Sequence, residues 1–360
     1  MRRLAAILAV LACLAVPAEA GGQVATVDAE PVATGLDFPA AFTFAGDGRI
    51  FYGERFTGEI RILNPTTGVD TLFFTISNLS TAGEQGLLGL ALHPRYPTVP
   101  KVYAYATRVV GGQTLNQILV MRDTGGGTAT SAKVIFSSET VAGAYHEGGR
   151  ILFGPDKMLY AVVGDAHHQA NAQNLSTTAG KILRMTAAGK VPAGNPFPGS
   201  LVWAYGIRNS YGFDFDPVNK NLWESENGPA CNDELNRIVA GGNYAWGPSQ
   251  TCSTPPAPPT NTNRDGPNPI LPVAFHTPTK APTGLDFCAG CDLPGGEGAL
   301  FLGEFNTGDI RRVTLTANRQ GVASQPVVYS HPNGILSMET GPDGTIYFSD
   351  ASGIWRLVPA

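Results

Sequence analysis

The sequence predicts an all-β protein, a six-bladed β-propeller of four-stranded antiparallel blades, on three observations. A turn rich in Gly, Asp and Pro recurs along the chain, each time leading into a short strand of alternating apolar residues. No sustained helical periodicity competes with that pattern. The 360 residues include 44 Gly and 28 Pro and are 43% hydrophobic but only 15% charged, a composition expected of strands and turns with a large core.

Six units follow one another. Gly46-Asp47-Gly48 precedes Ile50-Phe51-Tyr52 and then Glu59-Ile60-Arg61-Ile62. His93-Pro94 precedes Val102-Tyr103-Ala104-Tyr105, and Gly154-Pro155-Asp156 precedes Leu159-Tyr160-Ala161-Val162 and then Lys181-Ile182-Leu183-Arg184. Asp216-Pro217 precedes Leu222-Trp223-Glu224-Ser225. Pro294-Gly295-Gly296 precedes Leu300-Phe301-Leu302 and then Ile310-Arg311-Arg312-Val313. Gly341-Pro342-Asp343-Gly344 precedes Ile346-Tyr347-Phe348 and then Ile354-Trp355-Arg356-Leu357. Each unit has room for four short strands; a two-sheet sandwich is the alternative arrangement. The spacing lengthens between the fourth and fifth units, where residues 247–282 hold ten of the 28 prolines, and this stretch is expected to be an extended surface loop.

Residues 1–20 read as an export signal. Arg2 and Arg3 precede an apolar run from Leu4 to Val16, and Ala18-Glu19-Ala20 offers the small residues of a cleavage site. The run is too short to span a bilayer, and no later stretch approaches that length. Residues 21–360 then form a single propeller domain in the periplasm or outside the cell. Export and cleavage leave Cys231, Cys252, Cys288 and Cys291 in an oxidising compartment, where an even count favours two bridges. The favoured pairs are Cys231 with Cys252 and Cys288 with Cys291, among three possible pairings. The net charge of −5 and the absence of a basic run argue against nucleic-acid partners.

The run Glu226-Asn227-Gly228-Pro229-Ala230-Cys231-Asn232-Asp233-Glu234-Leu235-Asn236 concentrates oxygen donors around a Gly-Pro bend. Calcium takes carboxylate, amide and backbone carbonyl oxygens in loose geometry, and such a bend turns consecutive carbonyls toward one point. A polar turn opening a helix, with Asp233 and Glu234 near its N-terminus, accounts for the same residues. His146 before two glycines reads on its own as a turn residue. Arg208 reads as a partner for a blade-edge carboxylate, and Gln85 as a group satisfying buried backbone. His167 and His168 read as a loop feature, because adjacent strand residues face opposite ways.

Gln85-Gly86-Leu87-Leu88-Gly89-Leu90, His146-Glu147-Gly148-Gly149-Arg150, Arg208-Asn209-Ser210, the Glu226 to Asn236 run, Gly242-Asn243-Tyr244 and Ala281-Pro282-Thr283-Gly284-Leu285 occur in this order. Together they resemble the soluble glucose/sorbosone dehydrogenases, quinoproteins that oxidise aldose sugars with pyrroloquinoline quinone (PQQ) and calcium. The resemblance covers roughly residues 30 to 358 and implies a propeller with cofactor and sugar on one face, at the mouth of the central channel. It implies that His146 is the general base that takes the anomeric hydroxyl proton while hydride passes to the quinone and a lactone forms. Arg208 would polarise the quinone oxygens, and Gln85 and Asn209 would orient the cofactor. The carbonyls of Gly228 and Pro229 would hold the calcium that touches PQQ; Glu234 and the carbonyl of Tyr244 would hold a second, structural calcium. Electrons would pass to a separate acceptor, because no haem site is visible.

One departure stands out. Glucose-oxidising members of the family clamp the three PQQ carboxylates with a Lys and two Arg from the last two blades, and the matching positions here are Asn306, Gly334 and Leu336. A cationic substitute from Arg311, Arg312 or Lys280 is therefore expected if PQQ binds. Two other functions fit the same scaffold. One is a non-redox calcium-binding propeller that recognises a glycan or a protein, and the other is a calcium-dependent hydrolase resembling the six-bladed lactonases.

Overall fold

A computed structural model describes residues 27–140, 143–252 and 258–360. The export segment 1–20 lies outside the described residues. Six antiparallel sheets occupy residues 39–75, 87–140, 151–205, 210–276, 282–330 and 337–359, and are numbered here as blades 1 to 6. Blades 1 to 4 each have four strands. In blade 5, Val322–Ser324 and Val327–Ser330 both pair with Asp309–Leu315, so that sheet has five. The one helix among the described residues is Ala170–Gln173.

The ring is closed by the chain's two ends. Val27–Thr34 pairs antiparallel with Gly353–Pro359, supplying the outermost strand of blade 6, and Val27 and Leu357 join one apolar cluster with Phe301 and Ile346. Sequence periodicity did not reveal this closure, because it joins segments more than 300 residues apart. Between blades the sheets pack face to face through buried clusters such as Phe51, Leu87, Leu90 and Val102 between blades 1 and 2. Burial of this apolar area is the main force holding the ring.

The repeated turns and the candidate site lie at opposite ends of the blades. Each Gly/Asp/Pro turn joins the innermost strand of a blade to the next strand out, so the motif marks the far face. His146, Arg208, Asn227 to Asn232, Asn306 and Gly334 all lie in connections at the other end. Four innermost strands carry the same irregularity where they leave that site face: the register shifts between Pro39 and Ala41, Leu87 and Gly89, Ser210 and Gly212, and Pro282 and Gly284. A bulge of this kind bends a strand and re-aims the side chains before it.

Residues 258–281 correct the expectation of a plain surface loop. Asn261, Thr262 and Asn263 are buried, Ala274–His276 is the outermost strand of blade 4, and Pro282 begins the innermost strand of blade 5. Buried amides require partners, and Asn261 and Thr262 provide them by accepting from the Asn232 amide at 2.6 and 2.8 Å. Both favoured disulfides form, with Cα atoms 5.7 Å apart for Cys231–Cys252 and 5.5 Å apart for Cys288–Cys291. The first ties the 226–236 run to the Pro-rich segment.

Candidate active site

His146 lies between the last strand of blade 2 and the first of blade 3, with φ at +64°, a conformation that costs a non-glycine residue energy and is kept where surroundings over-determine it. Gly164 permits the arrangement, since a Cβ there would lie 2.1 Å from the His146 carbonyl oxygen. The imidazole Nδ1 is 2.7 Å from Asp165 Oδ1, and Asp165 Oδ2 accepts from the Trp246 indole at 2.8 Å. Asp165 is fully buried and His146 nearly so. A carboxylate at Nδ1 holds that nitrogen as an N–H donor and turns Nε2 toward open space; no partner occupies Nε2 among the described residues.

The ring opens on a cavity of about 510 Å³ lined by His146, His167, His168, Arg208, Pro229 and Trp246. His167 and His168 are loop residues, as expected, yet both line this space, and the His167 ring lies 4.9 Å from that of His146. Arg208 donates through Nη1 to the Asn227 carbonyl at 2.7 Å and lies over the Trp246 ring at 5.4 Å. Its Nε has no partner despite being buried. Burial lowers the guanidinium's pKa, opposed by Asp165 and Glu226. An unspent donor on a buried cation is suited to an oxygen-bearing ligand.

Gln85 and Asn209 are buried and hydrogen-bonded within the protein. The Gln85 amide donates to the Gly143 carbonyl and to Glu147, both at 2.9 Å, while Asn209 donates to Glu84 at 3.0 Å. Glu84 is the hub beneath the channel mouth, since its Oε2 also accepts from the His146 backbone N–H at 2.7 Å and the Tyr211 hydroxyl at 2.6 Å. Sequence reasoning missed Glu84, Asp165, Tyr211 and Trp246. Only the position of Glu84 beside the Gln85 motif, and of Asp165 after an apolar strand, hinted at them.

At the bend, Gly228 and Pro229 carry carbonyls that accept no backbone hydrogen bond among the described residues, while Asp233 accepts the Gly228 N–H at 2.8 Å and fixes the loop. Behind it, Glu226 pairs across the sheet with Glu234, and Glu224 with Asn236, all four buried. Glu224 Oε1, Glu226 Oε2 and Asn236 Oδ1 have no partner. Burial first, then mutual repulsion, raises the pKa of Glu226. Burial likewise raises those of Glu224 and Glu234. The Tyr244 carbonyl accepts from the Asn263 amide at 2.8 Å, and that amide also lowers the pKa of Glu234. Glu234 and Tyr244 are therefore brought to one place. Among the described residues no group of three or more His, Cys, Asp or Glu side chains is arranged to hold a metal. The donor chemistry fits a hard cation held by mixed carboxylate, amide and carbonyl oxygens, because carboxylates buried without a counter-charge are costly.

A second, smaller space of about 170 Å³ forms a cup at the channel mouth, bordered by Phe38, Arg55, Glu84, Asn227, Phe305 and Leu336. The expected cationic substitutes do not reach it. Arg311 is spent on Glu304 and the Gln325 carbonyl, and Arg312 on the Pro294 carbonyl at the far face. The Lys280 carbonyl accepts from the Asn306 backbone N–H at 3.0 Å, but the Lys280 side chain does not line the cup.

Comparison with known proteins bears on this face. The family model described as Glucose / Sorbosone dehydrogenase matches residues 36–356. The chain is 34% identical over 252 residues to quinoprotein glucose dehydrogenase B of Acinetobacter calcoaceticus, covering 61% of this chain and 52% of that one. It is 26% identical over 342 residues to the aldose sugar dehydrogenase YliI of Escherichia coli, covering 90% of each. The solved structure of the PQQ-bound aldose sugar dehydrogenase of Streptomyces coelicolor superposes with a TM-score of 0.79 at 28% identity, covering 93% of this chain and 98% of that one.

Proposed function

Because the chain belongs to the glucose/sorbosone dehydrogenase family, we propose that it is an exported quinoprotein sugar dehydrogenase that oxidises an aldose at C1 to the lactone, using PQQ and calcium. The observation that carries the reading is the His146–Asp165 pair opening on a cavity beside the unspent donor of Arg208.

In this reading His146 Nε2 accepts the proton of the anomeric hydroxyl, and Asp165 holds the ring and stabilises the imidazolium that results. The hydride leaves C1 as the lactone carbonyl forms. Bound PQQ supplies the two-electron acceptor for that hydride. Arg208 presents positive charge where oxygen charge develops, in a pocket whose burial strengthens it. The carbonyls of Gly228 and Pro229 would hold a calcium that supplies positive charge to the cofactor, and Glu234 with the Tyr244 carbonyl would hold a structural one. Asn209 acts through Glu84, whose Oε2 also accepts the His146 backbone N–H, while Gln85 donates to Glu147, the residue after His146. Electrons then pass to a separate acceptor.

The test is titration of the mature protein with PQQ and calcium, followed by an aldose and an electron-accepting dye. Saturable binding with dye reduction that vanishes in His146→Ala supports the proposal; calcium binding without quinone binding at any concentration sinks it. That second outcome is what a non-redox propeller recognising a glycan or protein predicts. The uncharged residues at Asn306, Gly334 and Leu336 favour that alternative.

A further inference from the structure

The cup has one cationic side chain among the described residues that line it, Arg55, in the connection between the second and third strands of blade 1. Its guanidinium is held rigidly. Nε donates to the Gln85 carbonyl at 3.1 Å and Nη2 to the Gly83 carbonyl. Its Cζ lies 5.1 Å from the Phe38 ring centroid and 4.7 Å from that of Phe56. No carboxylate pairs with it within salt-bridge distance among the described residues. Glu84, which shares the cup, already accepts from the His146 N–H, Asn209 and Tyr211.

Position adds the second argument. The Arg55 backbone N–H donates to the Phe38 carbonyl at 3.1 Å, and the Phe38 N–H to the Ala351 carbonyl at 3.2 Å, so Arg55 is tied to blade 6. Leu336, one of the three positions lacking the expected charge, borders the same cup. A planar, pre-organised fork on an apolar wall is well matched to a carboxylate of a flat aromatic ligand, because it binds bidentately and loses little freedom on doing so.

We infer that Arg55 is the carboxylate-binding residue of this cup, supplying from blade 1 the charge absent from Asn306, Gly334 and Leu336. The inference rests on the proposed function, since the ligand it names is the tricarboxylate PQQ. Arg55 is a cofactor-binding residue here and takes no part in proton transfer.

The experiment is a binding titration of calcium-loaded protein with PQQ, read by quenching of protein fluorescence, in wild type, Arg55→Gln, Arg55→Lys and Lys280→Gln, with the thermal midpoint of each recorded. Loss of one charge-assisted contact weakens binding roughly 10- to 100-fold in Arg55→Gln. Arg55→Lys keeps the charge without the fork and falls between, and wild-type affinity drops more steeply with salt than that of Arg55→Gln. Equal affinity in wild type and Arg55→Gln overturns the inference and leaves the dehydrogenase reading standing. A large loss in Lys280→Gln alone assigns the charge to Lys280 and also overturns it. If wild type binds no PQQ, the dehydrogenase reading fails and this inference with it.

Discussion

Asp165 holds His146 by a 2.7 Å contact to Nδ1 and is itself held by Trp246 at 2.8 Å. Those two bonds, together with the Gly164 approach, decide which imidazole nitrogen faces the cavity. An Asp165→Asn substitution keeps the volume but presents either an amide donor or a weaker acceptor to Nδ1. Turnover should fall by roughly 10²- to 10⁴-fold, with PQQ affinity little changed. Steady-state kinetics beside a binding titration would separate these; a normal kcat refutes the assignment of Asp165 as the positioning residue.

Calcium should stabilise the fold through the Glu224, Glu226 and Glu234 cluster, in which Glu224 Oε1 and Glu226 Oε2 have no partner and burial disfavours the carboxylate form until a cation offsets it. At a calcium concentration about 100-fold above Kd, linkage gives about 2.7 kcal/mol per site, a rise of roughly 5 °C in the thermal midpoint. Glu226→Gln should shrink that rise. A midpoint that ignores both calcium and chelator contradicts the assignment.

At the opposite channel mouth, Asp214, Asp286 and Glu339 face one cavity of about 550 Å³ with Arg150. Burial, then repulsion from Asp214, raises the Asp286 pKa well above its ordinary value, and burial pushes half-buried Glu339 up to about 7. For an acid whose folded pKa is raised, the folded state holds its proton more tightly than the unfolded chain. The contribution to stability is therefore present below the unfolded value near 4 and lost as pH rises toward the folded one. Wild-type midpoints should drop between pH 4.5 and 7.5 in chelator-treated protein, and the drop should be smaller in Asp286→Asn. An identical slope in the two proteins would show that Asp286 carries no linkage.

Lys181 is fully buried, and its ammonium donates to the carbonyls of Asn171 and Ala179 at 2.7 Å and Ala172 at 3.1 Å. It thereby anchors Ala170–Gln173 and the preceding His167-His168-Gln169 segment that lines the cavity. Lys181→Met should cost roughly 1–3 kcal/mol by stranding these acceptors and should raise KM more than it lowers kcat. Denaturant unfolding and kinetics together test this, and unchanged stability would be the adverse result.

The architecture was legible in the chain, since an alternating strand after each Gly/Asp/Pro turn is a local signal that needs no distant partner. The chain also brought forward His146, Arg208 and the Gly228-Pro229 bend, because their neighbouring residues form contiguous motifs. What those groups touch depends on contacts between segments far apart in the chain. Asp165 and Trp246 are 81 residues apart, Glu84 meets Tyr211 across 127, and the ring closes by pairing Val27 with Pro359. The connections on the site face follow no common pattern, so their contacts follow from how six blades converge on one axis. Arg55 illustrates the difference: in the chain it is an Arg after a strand, and only closure of the ring sets it beside Leu336 at the mouth of the channel.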